Sequence, residues 1–198
     1  MKKFLFIFLF IFFITRSLGA EEKLSLVASV NSAMITNIDI LNEINVIKLL
    51  NKSVDTNSQV VSRVALKNAV DEILKNSEIK KNAVKISSKN LIDQQYAELL
   101  KKITEINGPI SKIIKEKIYN KIQLDYEWNT LVAQKYSWKI NINMNEIDEK
   151  LKNEKIEDPS KLLAAKENLL MTEKKKKLNI YSNNYLSEIR KKSLIKFF

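Results

Sequence analysis

The chain lacks histidine and cysteine, the two residue types on which most acid–base, nucleophilic and metal chemistry in proteins depends. Without histidine, no ordinary side chain titrates near neutral pH, and no Ser-His or Cys-His pair exists. Without cysteine, there is no disulfide, no thiolate nucleophile and no cysteine-based metal site. We therefore expect no catalytic residues, no metal site and no bound cofactor, and we expect that the protein is not an enzyme.

The most specific chemical signature is a signal-peptidase cleavage site, Ser-Leu-Gly-Ala, which ends at Ala20. A basic pair at residues 2–3 and an unbroken apolar run at residues 4–14 precede it, which is the pattern of a signal peptide. Cleavage after Gly19 places a small serine three residues before the cut, whereas cleavage after Ala20 places a bulkier leucine there. We therefore predict a signal peptide over residues 1–19 and export of the mature chain.

The same apolar run leaves a second interpretation open, in which the signal is retained as a membrane anchor. The run is 11 residues long, whereas a transmembrane helix needs about 20 apolar residues. Cleavage is therefore favoured over anchoring.

The chain is strongly basic, with a formal net charge of +11 at pH 7. Lys2, Lys3 and Arg16 contribute three of these charges, so +8 remains after cleavage. In an exported protein this charge suits transient contact with an anionic membrane surface or with acidic polypeptides, or it simply keeps the protein soluble. The run Lys174–Lys177 fans over about 300° of a helix, so it forms no flat patch, and at least one lysine must lie along the apolar side. We expect no nucleic-acid partner.

Few residues interrupt helices in the mature chain, where Gly108-Pro109 and Pro159 are the strong breaks. The abundance of Lys, Leu, Ile and Glu predicts long helices joined by short polar loops. Residues 24–35 are the exception, because apolar residues alternate there around an Asn-Ser turn. The sequence thus predicts a mainly α protein with several helices and a small N-terminal β-hairpin.

Three local patterns set the order of the helices. Thr36 and Asp39 have the spacing of a capping box at the start of the first helix. In that helix Ile40, Leu41, Ile44 and Ile47 fall on one side. Pro109 suits the first turn of a helix that reaches about residue 137, followed by an extended link at residues 138–142 and a short helix at residues 145–149. Pro159 begins another long helix, to about residue 192.

The helix after Pro109 is predicted to be central. Its apolar residues fall within about 200° of arc, so it must face more than one neighbour. These residues are Ile110, Ile113, Ile114, Ile118, Ile122, Leu124, Trp128, Leu131 and Val132. Residues 194–198 follow the last helix as a predicted strand, which pairs with the hairpin and joins both ends of the chain.

The hairpin and the capped helix resemble the opening of SurA-like periplasmic chaperones. Residues 27–39 read Val-Ala-Ser-Val-Asn-Ser-Ala-Met-Ile-Thr-Asn-Ile-Asp, a valine-rich strand, an asparagine turn and an Ile-Thr-x-x-Asp entry to a helix. Further similar segments follow in the family's order, up to its closing helix and strand. They are residues 65–74, 84–87, 128–132, 140–142, 146–148 and 185–195.

The chain departs from this family in its middle. Family members carry one or more parvulin-type prolyl isomerase domains between the two similar parts, and parvulin sites use histidines. Here about ten residues separate Leu151 from Leu162, too few for a domain. The resemblance therefore implies one domain made of residues 20–152 and 161–198, with residues 153–160 as a linker in place of the isomerase.

The resemblance implies an ATP-independent periplasmic chaperone that holds unfolded outer-membrane β-barrel proteins. It also implies that the C-terminal helix and strand pack back onto the N-terminal part. Such a holdase needs a concave apolar surface that binds extended chains weakly and broadly. We predict that this surface is lined by Tyr126, Trp128, Leu131, Tyr136 and Trp138.

Two alternatives remain open. The first is a periplasmic scaffold anchored in the inner membrane by the uncleaved apolar run. The second is a degenerate member of the isomerase family without catalysis. For each aromatic residue taken by itself, ordinary core packing is the alternative to client contact.

Overall fold

The computed structural model describes residues 23–51, 58–84, 89–153 and 158–198. The predicted signal peptide, with Gly19 and Ala20, lies outside these residues, as do residues 154–157 in the middle of the predicted linker. Within the described ranges, no helix is both long and apolar enough to cross a membrane.

A three-stranded antiparallel sheet joins the two ends of the described chain. Strands β1, Leu26–Val30, and β2, Ala33–Thr36, form the predicted hairpin. Asn31 occupies the turn with a φ of 53°, a left-handed conformation that asparagine tolerates better than most residues. Strand β3, Ile195–Phe197, pairs with the other edge of β1, so the strand order is β2-β1-β3. The predicted pairing of the C-terminal strand with the hairpin is confirmed.

The described residues form six α-helices, which confirms the mainly α prediction. Several begin at a side-chain cap: Thr36 and Asp39 form the predicted capping box, and Ser58, Ser111 and Asp158 cap later helices. The helices are α1, Asn37–Leu50; α2, Gln59–Lys81; α3, Lys89–Asn107; α4, Lys112–Tyr136; α5, Met144–Asn153; and α6, Pro159–Lys192.

Some boundaries differ from the sequence expectation. Helix α4 begins at Lys112, three residues after Pro109, because the Ser111 hydroxyl caps the helix. The link after α4 is not fully extended, since Ser137–Lys139 form a turn of 3₁₀-helix. Helix α5 extends further than predicted in both directions, and the linker expected over residues 153–160 overlaps the last residue of α5 and the first turn of α6.

Helix α4 is central, as its wide apolar stripe predicts. Its first half packs with α1 and α3, where Ile114, Ile118 and Ile122 join Val46 and Ile92 in one buried cluster. Its second half packs against α2 and α6. Ile113 was expected in the apolar stripe but is 62% exposed in the first turn of α4.

Helix α6 is attached along the second half of α4 and carries β3 back to the sheet. Leu186 and Ile189 of α6, together with Ile195 of β3, pack against the cluster that contains Ala28 and Val30 of β1. The asparagine at the hairpin turn also contacts this return, because its backbone N–H donates to the Leu194 carbonyl at 2.8 Å. The two ends therefore share one core.

This shared core predicts a difference between two neighbouring residues of β3. Replacement of Ile195 by alanine should lower the free energy of unfolding by about 1–2 kcal/mol, because its partly buried side chain packs on the sheet core. Phe197→Ala is the matched control, since that side chain is 65% exposed and should change stability by less than about 0.5 kcal/mol. Urea denaturation of both variants measures this, and equal stabilities would show that β3 adds no core packing.

Candidate functional site

Two of the predicted client-contact residues, Trp128 and Leu131, lie in the core. Both are buried, and the Trp128 ring stacks on Tyr185 of α6 with 5.4 Å between centroids. The indole Nε1 donates to the Ser182 hydroxyl at 2.8 Å, so the polar end of this side chain is also occupied within the protein. Burial leaves both residues no surface to offer in this structure, and their role here is to join α4 to α6.

The other three predicted residues fall in two places, because Tyr136 and Trp138 share the Lys139 ammonium, which lies 5.6 and 5.0 Å from their ring centroids. Tyr126 packs beside the cluster shared by α1, α3 and α4. Tyr136 stacks on Tyr181 with 5.1 Å between centroids and is partly buried. Trp138 is 76% exposed in the 3₁₀ turn, with its Nε1 donating to the Lys135 carbonyl at 2.8 Å. Of the five, Trp138 offers the most accessible aromatic surface, and its contact with clients stays a prediction.

An open apolar groove of about 400 Å³ lies instead between β1, α1 and α2. Five apolar side chains line it, and polar side chains stand around them. Leu41 is 40% exposed there, and its apolar neighbours in the groove are partly buried. The apolar lining residues are Val27, Ile40, Leu41, Ile44 and Leu66; the polar ones are Asn37, Gln59, Ser62 and Arg63.

This groove suits binding of apolar side chains rather than chemistry. Its volume falls in the lower part of the range of small-ligand pockets, and a few polar groups at the rim of an apolar surface orient a ligand weakly. In the described ranges, no group of acidic residues is arranged to hold a metal ion. The groove can therefore remove apolar side chains of a partner from water.

A buried carboxylate, Glu43, lies on α1, one of the two helices that line the groove. It is 1% exposed and accepts a hydrogen bond from the Asn68 amide at 2.9 Å. The Lys121 ammonium lies 2.9 Å from its Oε1, and the Lys117 ammonium lies 3.2 Å from its Oε2. Lys117 is not aligned to donate a hydrogen bond to Oε2, so charge rather than a directed bond compensates that oxygen. Both lysines also pair with Glu72, which completes a network of α1, α2 and α4.

The lysines hold Glu43 in its charged form. Burial alone would raise the pKa of this carboxyl, but the hydrogen bond and charge of Lys121, the Asn68 amide and the charge of Lys117 together lower it. A carboxylate bound in this way is a poor proton acceptor. Its role is to fix the positions of α1, α2 and α4, and so the shape of the groove between α1 and α2.

A polar contact of the same kind holds α6 against α2. The Tyr185 hydroxyl donates to Glu78 at 2.5 Å. Burial and this hydrogen bond to a carboxylate raise the pKa of Tyr185, so the phenol stays protonated and remains a donor. The aromatic stack between α4 and α6 is thereby tied to a third helix.

Sequence reasoning missed both the groove and Glu43, although each left a signal. Ile40, Leu41 and Ile44 were expected on one side of α1, and the structure places them along an open groove, where Ile40 also packs on the sheet core. Glu43 falls between Val46 and Ile47 on the apolar side of the same helix. A carboxylate in an apolar stripe indicates a buried partner of opposite charge, but only the fold identifies that partner.

No protein-family model matches the chain, and no curated protein matches it.

The Glu43 network predicts a pH-dependent loss of stability in one variant. At pH 7, Lys121→Met should lower the free energy of unfolding by about 2 kcal/mol, less than the 3–5 kcal/mol typical of an uncompensated buried charge, because Lys117 remains. Since the pKa of Glu43 is lowered from its ordinary value of 4.5, the wild-type advantage is full above that pH and declines as the pH falls below it. Lys112→Met, at a lysine whose side chain is 89% exposed, is the control. Urea unfolding at pH 7 and pH 3.5 measures the difference in unfolding free energy between the wild type and Lys121→Met. A difference that is as large at pH 3.5 as at pH 7 would contradict the prediction.

Proposed function

We propose that this chain is an ATP-independent periplasmic chaperone, similar to the SurA family without its isomerase domains, that holds unfolded outer-membrane β-barrel proteins. The proposal combines the resemblance of the N-terminal and C-terminal segments with the surface that these segments form. The isomerase reaction is not part of it, since the chain has no histidine and α5 is followed closely by α6.

The single observation that carries the proposal is the open apolar groove between α1 and α2. Its central side chains, Ile40 and Leu66, also pack on the sheet core, so the groove is held in shape before a partner binds. Burial of apolar area contributes roughly 25 cal/mol per Å², and a shallow groove buries little of a partner at once. Weak binding that accepts many sequences is what a holdase requires.

Other exposed apolar residues support contact with long clients. Met34, Trp138 and Phe198 are each more than two-thirds exposed, and they lie on different elements from the groove. An extended client passes over several such sites. Binding at one site raises the effective concentration of the client at the next, so several weak contacts together give a higher overall affinity. Unfolded β-barrel strands present alternating apolar and aromatic residues, which suits a set of separate apolar contacts.

The runner-up is a membrane-anchored periplasmic scaffold with the same helices. One observation favours it, the unbroken apolar run at residues 4–14. In that case the groove would hold a folded partner at the membrane rather than a series of unfolded clients.

A light-scattering assay tests the chaperone proposal. The purified protein at several-fold excess should suppress aggregation of a urea-unfolded outer-membrane β-barrel protein on dilution, without nucleotide. Leu41→Asp should reduce this suppression several-fold, because a carboxylate in the apolar groove must be desolvated when a client binds. Leu91→Asp is the matched control, since Leu91 is 56% exposed on α3, away from the groove, and this variant should act as wild type.

Two results would count against the proposal. Wild-type protein that leaves aggregation unchanged would remove the chaperone function. Equal loss in Leu41→Asp and Leu91→Asp, with both variants folded by circular dichroism, would remove the groove as the site.

The location of the protein is tested by its mature N-terminus. Export with cleavage after Gly19 predicts that protein recovered from the periplasm of an expressing bacterium begins at Ala20. N-terminal sequencing measures this directly. Protein that begins at Met1 and sediments with the inner membrane would favour the anchored scaffold.

A further inference from the structure

A second groove, of about 360 Å³, lies between α4 and α6 and shares no lining residue with the first. Its floor is apolar: Val132 is buried, and Leu178 packs on the cluster that contains Trp128. Met171 stands at its edge, 71% exposed, and a flexible thioether adapts to ligands of different shape.

Two lysines of α6 line this groove. Lys174 and Lys175 line the groove, are exposed, and form no ion pair with the described part of the chain. Their neighbours in the predicted four-lysine run behave differently. Lys176 pairs with Glu173 at 3.0 Å, and Lys177 lies along the protein and donates to the Asn141 carbonyl, as expected for a lysine on the apolar side. The basic run thus leaves two charges at an apolar groove.

Two asparagines also line the groove and indicate what kind of ligand fits. The side-chain amides of Asn129 and Asn179 make no hydrogen bond within the described ranges. An amide offers both donors and an acceptor, which match the N–H and C=O groups of a peptide backbone. Both side chains are exposed to water, so a ligand that covers them must replace their hydrogen bonds to water. A peptide backbone can do so and an acyl chain cannot, so a polypeptide fits this groove better than a lipid.

We propose that the groove between α4 and α6 binds polypeptide segments in which acidic residues adjoin apolar ones. The apolar side chains cover Leu178 and Met171, the carboxylates lie by Lys174 and Lys175, and the backbone pairs with Asn129 and Asn179. This rests on the proposed function in that the ligand is an unfolded polypeptide. It adds a preference that the first groove does not carry, since only Arg63 is charged there.

Two labelled peptides test this charge preference. One has the core Asp-Asp-Leu-Val-Phe and the other the near-isosteric core Asn-Asn-Leu-Val-Phe, both with acetylated and amidated ends to remove terminal charges. By fluorescence anisotropy, the purified protein should bind the acidic peptide about fivefold more tightly in 50 mM salt. The difference should largely vanish in 1 M salt, where the Debye length is about 3 Å.

Two double variants locate the preference. Lys174→Gln with Lys175→Gln should bind both peptides equally and keep the affinity for the neutral one. Lys101→Gln with Lys102→Gln is the control, because this pair of adjacent exposed lysines on α3 removes the same charge far from the groove. It should retain the fivefold difference.

The outcomes separate this inference from the chaperone proposal. Equal affinity of the wild type for both peptides overturns the inference even if aggregation is suppressed. Equal loss of the preference in the two double variants also overturns it, because the net charge of the protein would then explain the preference. A lysine-dependent preference for the acidic peptide supports it even if Leu41→Asp leaves chaperone activity intact. Vesicles containing phosphatidylglycerol that bind through Lys174 and Lys175, with no peptide preference, would overturn it in favour of a lipid site.

Discussion

The stack of aromatic rings between α4 and α6 is the contact on which the arrangement of this protein depends. No side chain within α6 is fully buried, so the helix is held by partly buried contacts, among them Leu186 and Ile189 on the core clusters. The broadest of these contacts are aromatic: Tyr185 stacks on the buried Trp128, and Tyr181 stacks on Tyr136. The hydroxyl of Ser182 accepts the indole hydrogen bond and fixes the tryptophan. Through this contact α6 brings β3 to the hairpin, and both ends of the chain enter one core.

The parts of the fold that follow from local rules were predictable from the sequence. The hairpin turn at Asn31 and the capping box at Thr36 each depend on a few adjacent residues, and the long helices follow from the scarcity of glycine and proline. The start of α4 was misplaced because Pro109 and Ser111 both suit a helix entry, and the hydroxyl decided the position. Neither groove was predictable, because each depends on how far apart two helices sit.

The aromatic residues show the same limit at the level of the site. Type and spacing alone did not separate Trp128, which joins two helices, from Trp138, which faces solvent ten residues later. Burial of one and exposure of the other follow from where α6 lies.

The accessible surface carries two grooves, a nearly neutral one beside the sheet and a basic one along α6. These two surfaces give one small fold two chemically different places for an extended chain.

The pairing of the first strand with the last has a kinetic consequence. Ala28 of β1 lies opposite Phe197 of β3, so the central strand of the sheet lacks one neighbour until β3 has been synthesised. Contacts between residues far apart in sequence slow folding, since the intervening chain must first be closed into a loop. The helices can form early, yet the sheet core around Ala28 and Val30 stays uncovered where Leu186, Ile189 and Ile195 later pack. The nascent chain thus passes through the same exposed state as the polypeptides that we propose it protects.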